Sequence, residues 1–216
     1  MLTIHDLSVW FSSYTFGLKR KKSCVIKGLD LTISPGQVMA VIGQSGAGKS
    51  LLAHALLGIL PGNARVEGSM LFKGEPLTPQ RLKILRGRQI SLIPQSVTSL
   101  NPLLRVGLQV ARAAQLGGIA RKDVPTTVRQ AFTRYLLPEE VMGWYPFQLS
   151  GGMARRVLTA TATVGKADLI IADEPTSGLD PVAIREALGH LRELADTGKA
   201  VLLITHDIEA ALQIAD

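Results

Sequence analysis

Cysteine is nearly absent: Cys24 stands alone in 216 residues. It has no partner for an internal disulfide and no neighbours at metal-ligand spacing, so it is expected in a strand as a small apolar residue. Long apolar runs are also missing. None approaches the ~18 to 20 residues that span a bilayer, and the opening MLTIHDLSVWF has no basic segment leading into an apolar one. Neither a membrane span nor a secretory leader is expected, which points to the cytoplasm. There is no CxxC pair, heptad register, internal repeat or low-complexity tract, so zinc modules and long coiled coils drop out. Acidic residues are in deficit, with 17 Asp and Glu against 24 Lys and Arg and a net charge of +7. That balance suits nucleic acid, a nucleotide or an anionic membrane surface without choosing among them. The one basic run, KRKK at 19–22, reads as a solvated hairpin tip, with contact to lipid headgroups as the alternative.

What is present is ordinary globular material, 46% hydrophobic and 19% charged, with short apolar runs punctuated by Gly and Pro. LTIHDLSVWF and CVIKGLDLTI alternate apolar and polar residues as half-buried antiparallel strands do, and they flank the basic run. QVMAVIG is nearly all apolar, the pattern of a central strand covered on both faces. KSLLAHALLGIL predicts a helix that Gly58 and then PGN stop. ISLIP at 90–94, DLIIAD at 168–173 and AVLLITH at 200–206 predict further buried strands. Between Asn101 and Leu149 helix formers dominate, interrupted at Pro125, Pro138 and Pro146, which predicts a small helical insertion rather than a second independent domain.

The strongest chemical signal follows the first buried strand. GQSGAGKS, Gly43 to Ser50, matches GxxxxGK[ST]. Phosphate oxygens are held most simply by a loop whose N–H groups all point inward, and glycines are needed where a side chain would block the approach. A helix N-terminus adds roughly half a positive charge at the same place. The expected nucleotide-binding set is Gly43, Gln44, Ser45, Gly46, Ala47, Gly48, Lys49, Ser50 and Leu51. In it Lys49 reaches the β- and γ-phosphates and the Ser50 hydroxyl ligates Mg²⁺. LIIADEP then supplies acids at a strand end: Asp173 for the Mg²⁺ shell and Glu174 to polarise a water for in-line attack. Taken alone, such a pair reads equally well as a turn or cap feature.

LSGGM, Leu149 to Met153, runs straight into ARRVLTATATV. Ser150 is a good N-cap, and two glycines are tolerated at a helix start. The same residues also make a second anion cradle from Ser150, Gly151 and Gly152. One chain then has two phosphate-binding loops and one metal-acid pair. The economical resolution is a nucleotide sandwiched between this chain's lysine loop and the serine-glycine loop of another subunit.

At this point the residues resemble the ATP-binding subunits of ABC transporters, in motif order and along nearly the whole chain. GQSGAGKS is similar to the Walker A loop, LSGGM to the signature, with Met153 as its fifth residue, and LIIADEP to Walker B with Glu174 as the catalytic glutamate. The resemblance implies that Gln95 in LIPQS is the Q-loop glutamine, joining Mg²⁺ and water to the helical insertion. It likewise implies that Asp180 in SGLD belongs to a D-loop and that His206 in LLITHD is the switch histidine. Asp180 before Pro181 reads equally as the N-cap of a helix carrying Ile184, Leu188 and Leu191. The catalytic residues implied are thus Glu174, His206 and Gln95, and the Mg²⁺ ligands Ser50, Gln95 and Asp173. An adenine-stacking aromatic is implied in the first strand, where Trp10, Phe11 and Tyr14 compete; the alternation Leu7, Val9, Phe11 favours Phe11.

The implied fold is an α/β P-loop NTPase with a mostly parallel core sheet, an antiparallel β subdomain and a helical subdomain. As a single cassette over 1–216, it would comprise a core at 1–100 and 151–216 with a helical insertion at 101–150. Two departures stand out. The signature's usual glutamine is Met153, which leaves the serine hydroxyl and glycine amides in place, and the chain stops at Asp216 where the family normally continues with further strands. QSVTSLNPLLRVGLQV, GILPG and YPFQLSGGM resemble the dipeptide, oligopeptide and nickel importer branch, nearest its nickel or metal-chelate members.

The function so implied is an ATPase powering an importer from the cytoplasmic face of the membrane. Its implied partners are an identical or paralogous ATPase subunit, two membrane permeases and, indirectly, an external solute-binding protein, with no nucleic acid. The competing readings are an ABC-type ATPase acting on nucleic acid, in repair or translation, and a small-molecule P-loop kinase, which leaves LSGGM without a role.

Overall fold

The computed structural model describes residues 1–14, 20–44, 46 and 48–216. Two four-stranded sheets carry the chain. The antiparallel sheet has the order β2-β1-β4-β5, from β1 (Leu2–Tyr14), β2 (Arg20–Ile33), β4 (Ala64–Phe72) and β5 (Glu75–Pro76). The other is parallel throughout, in the order β3-β8-β7-β6, from β3 (Val38–Ile42), β6 (Ile90–Ile93), β7 (Leu169–Asp173) and β8 (Ala200–Thr205).

Strands β7 and β8 are buried at every position, and their two faces feed different cores. Leu169, Ile171, Leu202 and Ile204 meet α1 (Lys49–Leu57) through Leu52 and Leu56, and the same cluster takes in Leu2, Leu7, Ile33 and Phe72 of the antiparallel sheet. Ile170, Ala172, Val201 and Leu203 face the opposite way. They pack on Leu188, Leu191 and Leu194 of α6 (Pro181–Asp196) and on Ala210, Ala211 and Ile214 of α7 (Ile208–Ile214). Two-sided burial explains why these strands read as unbroken apolar runs. A third cluster is helical, with Val106 and Val110 of α3 (Val106–Leu116), Val128 and Phe132 of α4 (Val124–Arg134), and Val157 and Leu158 of α5 (Gly151–Thr163). Helix α5 joins two cores, since Ala162 near its C-terminal end packs in the α6–α7 cluster.

Among the described residues β3 pairs on one side only, with β8; Val38 is fully buried and Ile42 is 45% exposed. Val38 N donates to Asp216 Oδ2 at 2.7 Å and Asp216 N donates to Val38 O at 3.0 Å. Two sequence expectations need correction. The basic run is not all turn: Arg20, Lys21 and Lys22 belong to β2, opposite Tyr14, Ser13 and Ser12, while Lys19 lies outside the described residues. Finally, β4, β5, α2 (Pro79–Leu85) and α7 were not expected. Strand β4 is mostly exposed over Ala64–Ser69, so no apolar alternation marks it.

Candidate functional site

Strand β3 delivers the chain at Gly43 to a loop that turns into α1. Gly46 (φ 83) and Gly48 (φ 80) are left-handed, a conformation that costs a residue with a Cβ about 1–2 kcal/mol. A Cβ on Gly48 would also run into Val25 Cγ1 of β2, so glycine is required there twice over. Among the described residues no side chain caps the start of α1, and no acid lies in its first turn. Its orphan N–H groups and dipole are therefore available to an anion. Lys49 Nζ donates to the carbonyls of Gly43 (2.6 Å) and Gln44 (2.9 Å) and lies 3.6 Å from Glu174 Oε1, with both side chains buried. Ser45 and Ala47 lie outside the described residues.

Strand β7 ends at Asp173, and its neighbour β8 ends beside it, with Asp173 opposite Ile204. This pairing carries Glu174 and His206 together: His206 Nδ1 is 2.7 Å from Glu174 Oε2 although 32 residues separate them. Glu174 is itself left-handed (φ 48), buried, and fixed through its N–H to Ile204 O at 2.8 Å. A non-glycine residue in that region stores about 1–3 kcal/mol, a cost that here aims the carboxylate at Lys49 and His206. Burial raises the pKa of Asp173, which the Ser50 hydroxyl partly offsets and the Glu174 charge reinforces. Among the described residues Asp173 Oδ1, which is buried, has no hydrogen-bond partner. An orphaned carboxylate oxygen near a serine hydroxyl is the hard, oxygen-only donor set that suits Mg²⁺. Among the described residues no three His, Cys, Asp or Glu gather to hold an ion by themselves, so such an ion would need phosphate oxygens as well.

Gly46, Gly48, Lys49, Ser50, Leu51, Gln95 and Glu174 line one open cavity of about 210 Å³. The structure thus brings the lysine loop, Gln95 two residues past β6 and Glu174 just past β7 to one place, and His206 adjoins through Glu174. It does not bring the serine-glycine loop there. Ser150 caps α5, accepting from Met153 N at 3.2 Å, and Gly151 and Gly152 are the first helical residues rather than a loop in front of it. Gly152 and Asp180 line a different cavity of about 140 Å³. Asp180 caps α6, accepting from Val182 N (2.9 Å) and Ala183 N (3.0 Å), with Pro181 as the first helical residue. Phe11, half-buried on β1 opposite Ser23 and Ala64, is not among the residues lining the 210 Å³ cavity, nor is Trp10; the Tyr14 side chain lies outside the description. Sequence reasoning missed Val25, whose contact with Gly48 is tertiary, and Arg155. No sequence signal singles out Arg155, because Arg156 follows it directly in the same helix.

A family profile described as ABC transporter matches residues 26–177, well over half of the chain. The chain belongs to that family. The relatives of this ABC cassette include the oligopeptide transport ATP-binding protein OppD of Salmonella typhimurium, 35% identical over 224 residues that cover 100% of this chain and 65% of that protein. The dipeptide transport ATP-binding protein DppD of Bacillus subtilis is 33% identical over 226 residues, covering 100% and 66%. The chain therefore spans a little under two thirds of the length of these relatives. Among solved structures, an ATP-binding subunit of an ABC transporter superposes with a TM-score of 0.79 at 26% identity, covering 100% of this chain and 83% of that one. The dimeric structure of MJ0796, a bacterial ABC transporter cassette, gives 0.85 at 24% identity over 100% and 91%, a likeness of fold. The α/β architecture of parallel sheet, antiparallel sheet and helices is that of the ABC ATPase cassette.

Proposed function

We propose that the chain binds and hydrolyses ATP as the cassette of an importer of di- or oligopeptides, working at the cytoplasmic face of the membrane. We take residues 1–216 as one cassette, with 101–150 as its helical insertion. The observation that carries the reading is the separation of two phosphate-binding features: the lysine loop, Gln95 and Glu174 share one cavity, whereas Ser150, Gly151 and Gly152 lie outside it. A chain with both halves of a site in different places is completed by a second subunit, identical or paralogous. The cargo is read from the relatives, whose names are oligopeptide and dipeptide transport proteins. They lend no support to nickel or a metal chelate. Two permease subunits and an external solute-binding protein complete the proposed assembly.

On this reading the N–H groups of the Gly43–Leu51 loop, Ser45 and Ala47 included, cradle the β- and γ-phosphates of ATP. Lys49 leaves the Gly43 and Gln44 carbonyls for the phosphate oxygens, exchanging dipoles for full charges. Phe11 is the proposed adenine platform. Ser50, Asp173 and Gln95 would hold Mg²⁺, which when bound neutralises charge on the phosphate oxygens. Glu174 accepts hydrogen bonds from the attacking water and orients it, and His206 fixes the Glu174 carboxylate through its Nδ1 contact. The partner's Ser150-Gly151-Gly152-Met153 helix start closes over the γ-phosphate with its N–H groups, while Asp180 lies at the subunit contact.

The test is Ser150→Arg. It is expected to leave this chain's own ATP affinity unchanged and to abolish most hydrolysis at the partner's lysine loop. Loss of this chain's own ATP binding would show that the signature acts within its own subunit and would overturn the reading.

A further inference from the structure

Arg155 lies five residues after Ser150 on α5 and is only 9% exposed. Among the described residues it pairs with no carboxylate. Its Nη1 donates to the carbonyl oxygens of Gln95 at 2.7 Å and Pro94 at 3.5 Å, and its Nη2 donates to that of Ser177 at 2.9 Å. Burial lowers its pKa, yet a guanidinium stays charged in a protein. Taking a cation out of water to face only main-chain carbonyls is expensive, and apolar packing fills such a place at lower cost. Packing therefore does not account for it.

Arg81 makes the comparison. It too donates to three carbonyls, those of Phe72, Glu75 and Pro76, but it also pairs with Glu75 at 3.0 Å, and every acceptor lies within nine residues. Arg81 staples one local turn. Arg155 reaches 60 residues back and 22 forward. The segments it joins are those that matter: Gln95 lines the Lys49–Glu174 cavity, and Ser177 stands midway between Glu174 and Asp180. Its own helix is capped by Ser150. A guanidinium has two amino groups fixed at a set angle, so one side chain divides between two loops, which the single ammonium of lysine cannot do. A carboxylate partner would claim both amino groups at once.

We propose that Arg155 is a positioning residue that ties the Gln95 loop and the Glu174–Asp180 segment to the signature helix, so that phosphate held at the Ser150 end of α5 is felt in this chain's own cavity. The second half of that statement rests on the sandwich reading above; the tie itself does not. Hydrogen exchange on the full chain tests the tie. Arg155→Ala is expected to speed exchange about tenfold in the segments around Gln95 and Ser177 together, with the 157–163 stretch of α5 unchanged. Arg155→Lys, which keeps the charge and guards against a folding defect, is expected to loosen one of the two loops and spare the other. Exchange at wild-type rates in both loops of both variants overturns the tie. Coupling is then read with the partner subunit present, in the Glu174→Gln background. There Arg155→Lys is expected to raise the ATP concentration needed for the closed dimer about tenfold without changing ATP affinity of the free chain. An unchanged midpoint overturns the coupling. Absence of any ATP-driven dimer with Arg155 intact overturns the sandwich instead, and leaves the exchange result to decide the tie.

Discussion

Replacing Gly48 by alanine tests the phosphate loop at a single atom. Gly48 sits at φ 80, ψ 11, which costs alanine about 1–2 kcal/mol. The added Cβ would also press on Val25 Cγ1 well inside van der Waals contact. Valine is stiff at χ1, and overpacking of this kind costs about 1–3 kcal/mol. Together the two effects remove about 2–5 kcal/mol. On the scale of roughly 2–4 °C per kcal/mol for a chain of this size, Tm falls by at least about 4 °C. A double-mutant cycle with Val25→Ala separates the two effects, because it relieves the contact and leaves the backbone strain. Thermal or urea unfolding is expected to give a coupling of about 1–3 kcal/mol between the sites. Titration with a fluorescent ATP analogue should show weakened binding in Gly48→Ala that the double variant restores only in part. A coupling within about 0.3 kcal/mol of zero refutes the contact, and wild-type ATP affinity in Gly48→Ala refutes the loop as the phosphate cradle.

Three further outcomes follow from the same geometry. The raised pKa of Asp173 means that the folded chain binds its proton more tightly than the unfolded one, so this carboxylate destabilises the free fold at neutral pH, and less so as pH falls through the folded pKa. Asp173→Asn is therefore expected to raise Tm at pH 7 while Mg²⁺-dependent ATP hydrolysis is lost. Its advantage should shrink toward pH 3.8, the unperturbed carboxylate value; an advantage independent of pH contradicts the burial argument. His206→Ala removes the 2.7 Å contact that orients Glu174 and is expected to lower kcat about 10²-fold or more with ATP affinity kept, as measured by steady-state hydrolysis. In Ser150→Arg the lost cap alone costs about 0.5–2 kcal/mol, so thermal unfolding should accompany the measurement of partner-site hydrolysis to separate a misplaced helix from a blocked phosphate.

Much of this molecule was legible because its chemistry is local. A glycine loop between an apolar strand and a helix needs only eight consecutive residues, and Asp180-Pro181 states its own cap. β7 and β8 were readable because both of their faces are buried, which leaves a run of aliphatic side chains no helix of that length requires. β4 went unread because its exposed positions carry no period. Two features of the site were beyond sequence altogether. Nothing in ADEP announces that Glu174 is left-handed, and no spacing between positions 174 and 206 signals a 2.7 Å contact; both follow from the parallel pairing of β7 with β8. Arg155 is illegible for the same reason, since its acceptors are carbonyls, which every residue has.

Whether one ATP is held between two subunits is read from the size of the assembled Glu174→Gln protein, with its partner subunit, by size-exclusion chromatography with light scattering, in the presence and absence of Mg²⁺ and ATP. A nucleotide-dependent shift to a stable closed dimer with two ATP retained is expected, and no such shift when Ser150→Arg is added to both subunits. A species that binds ATP as tightly and stays monomeric would contradict the sandwich.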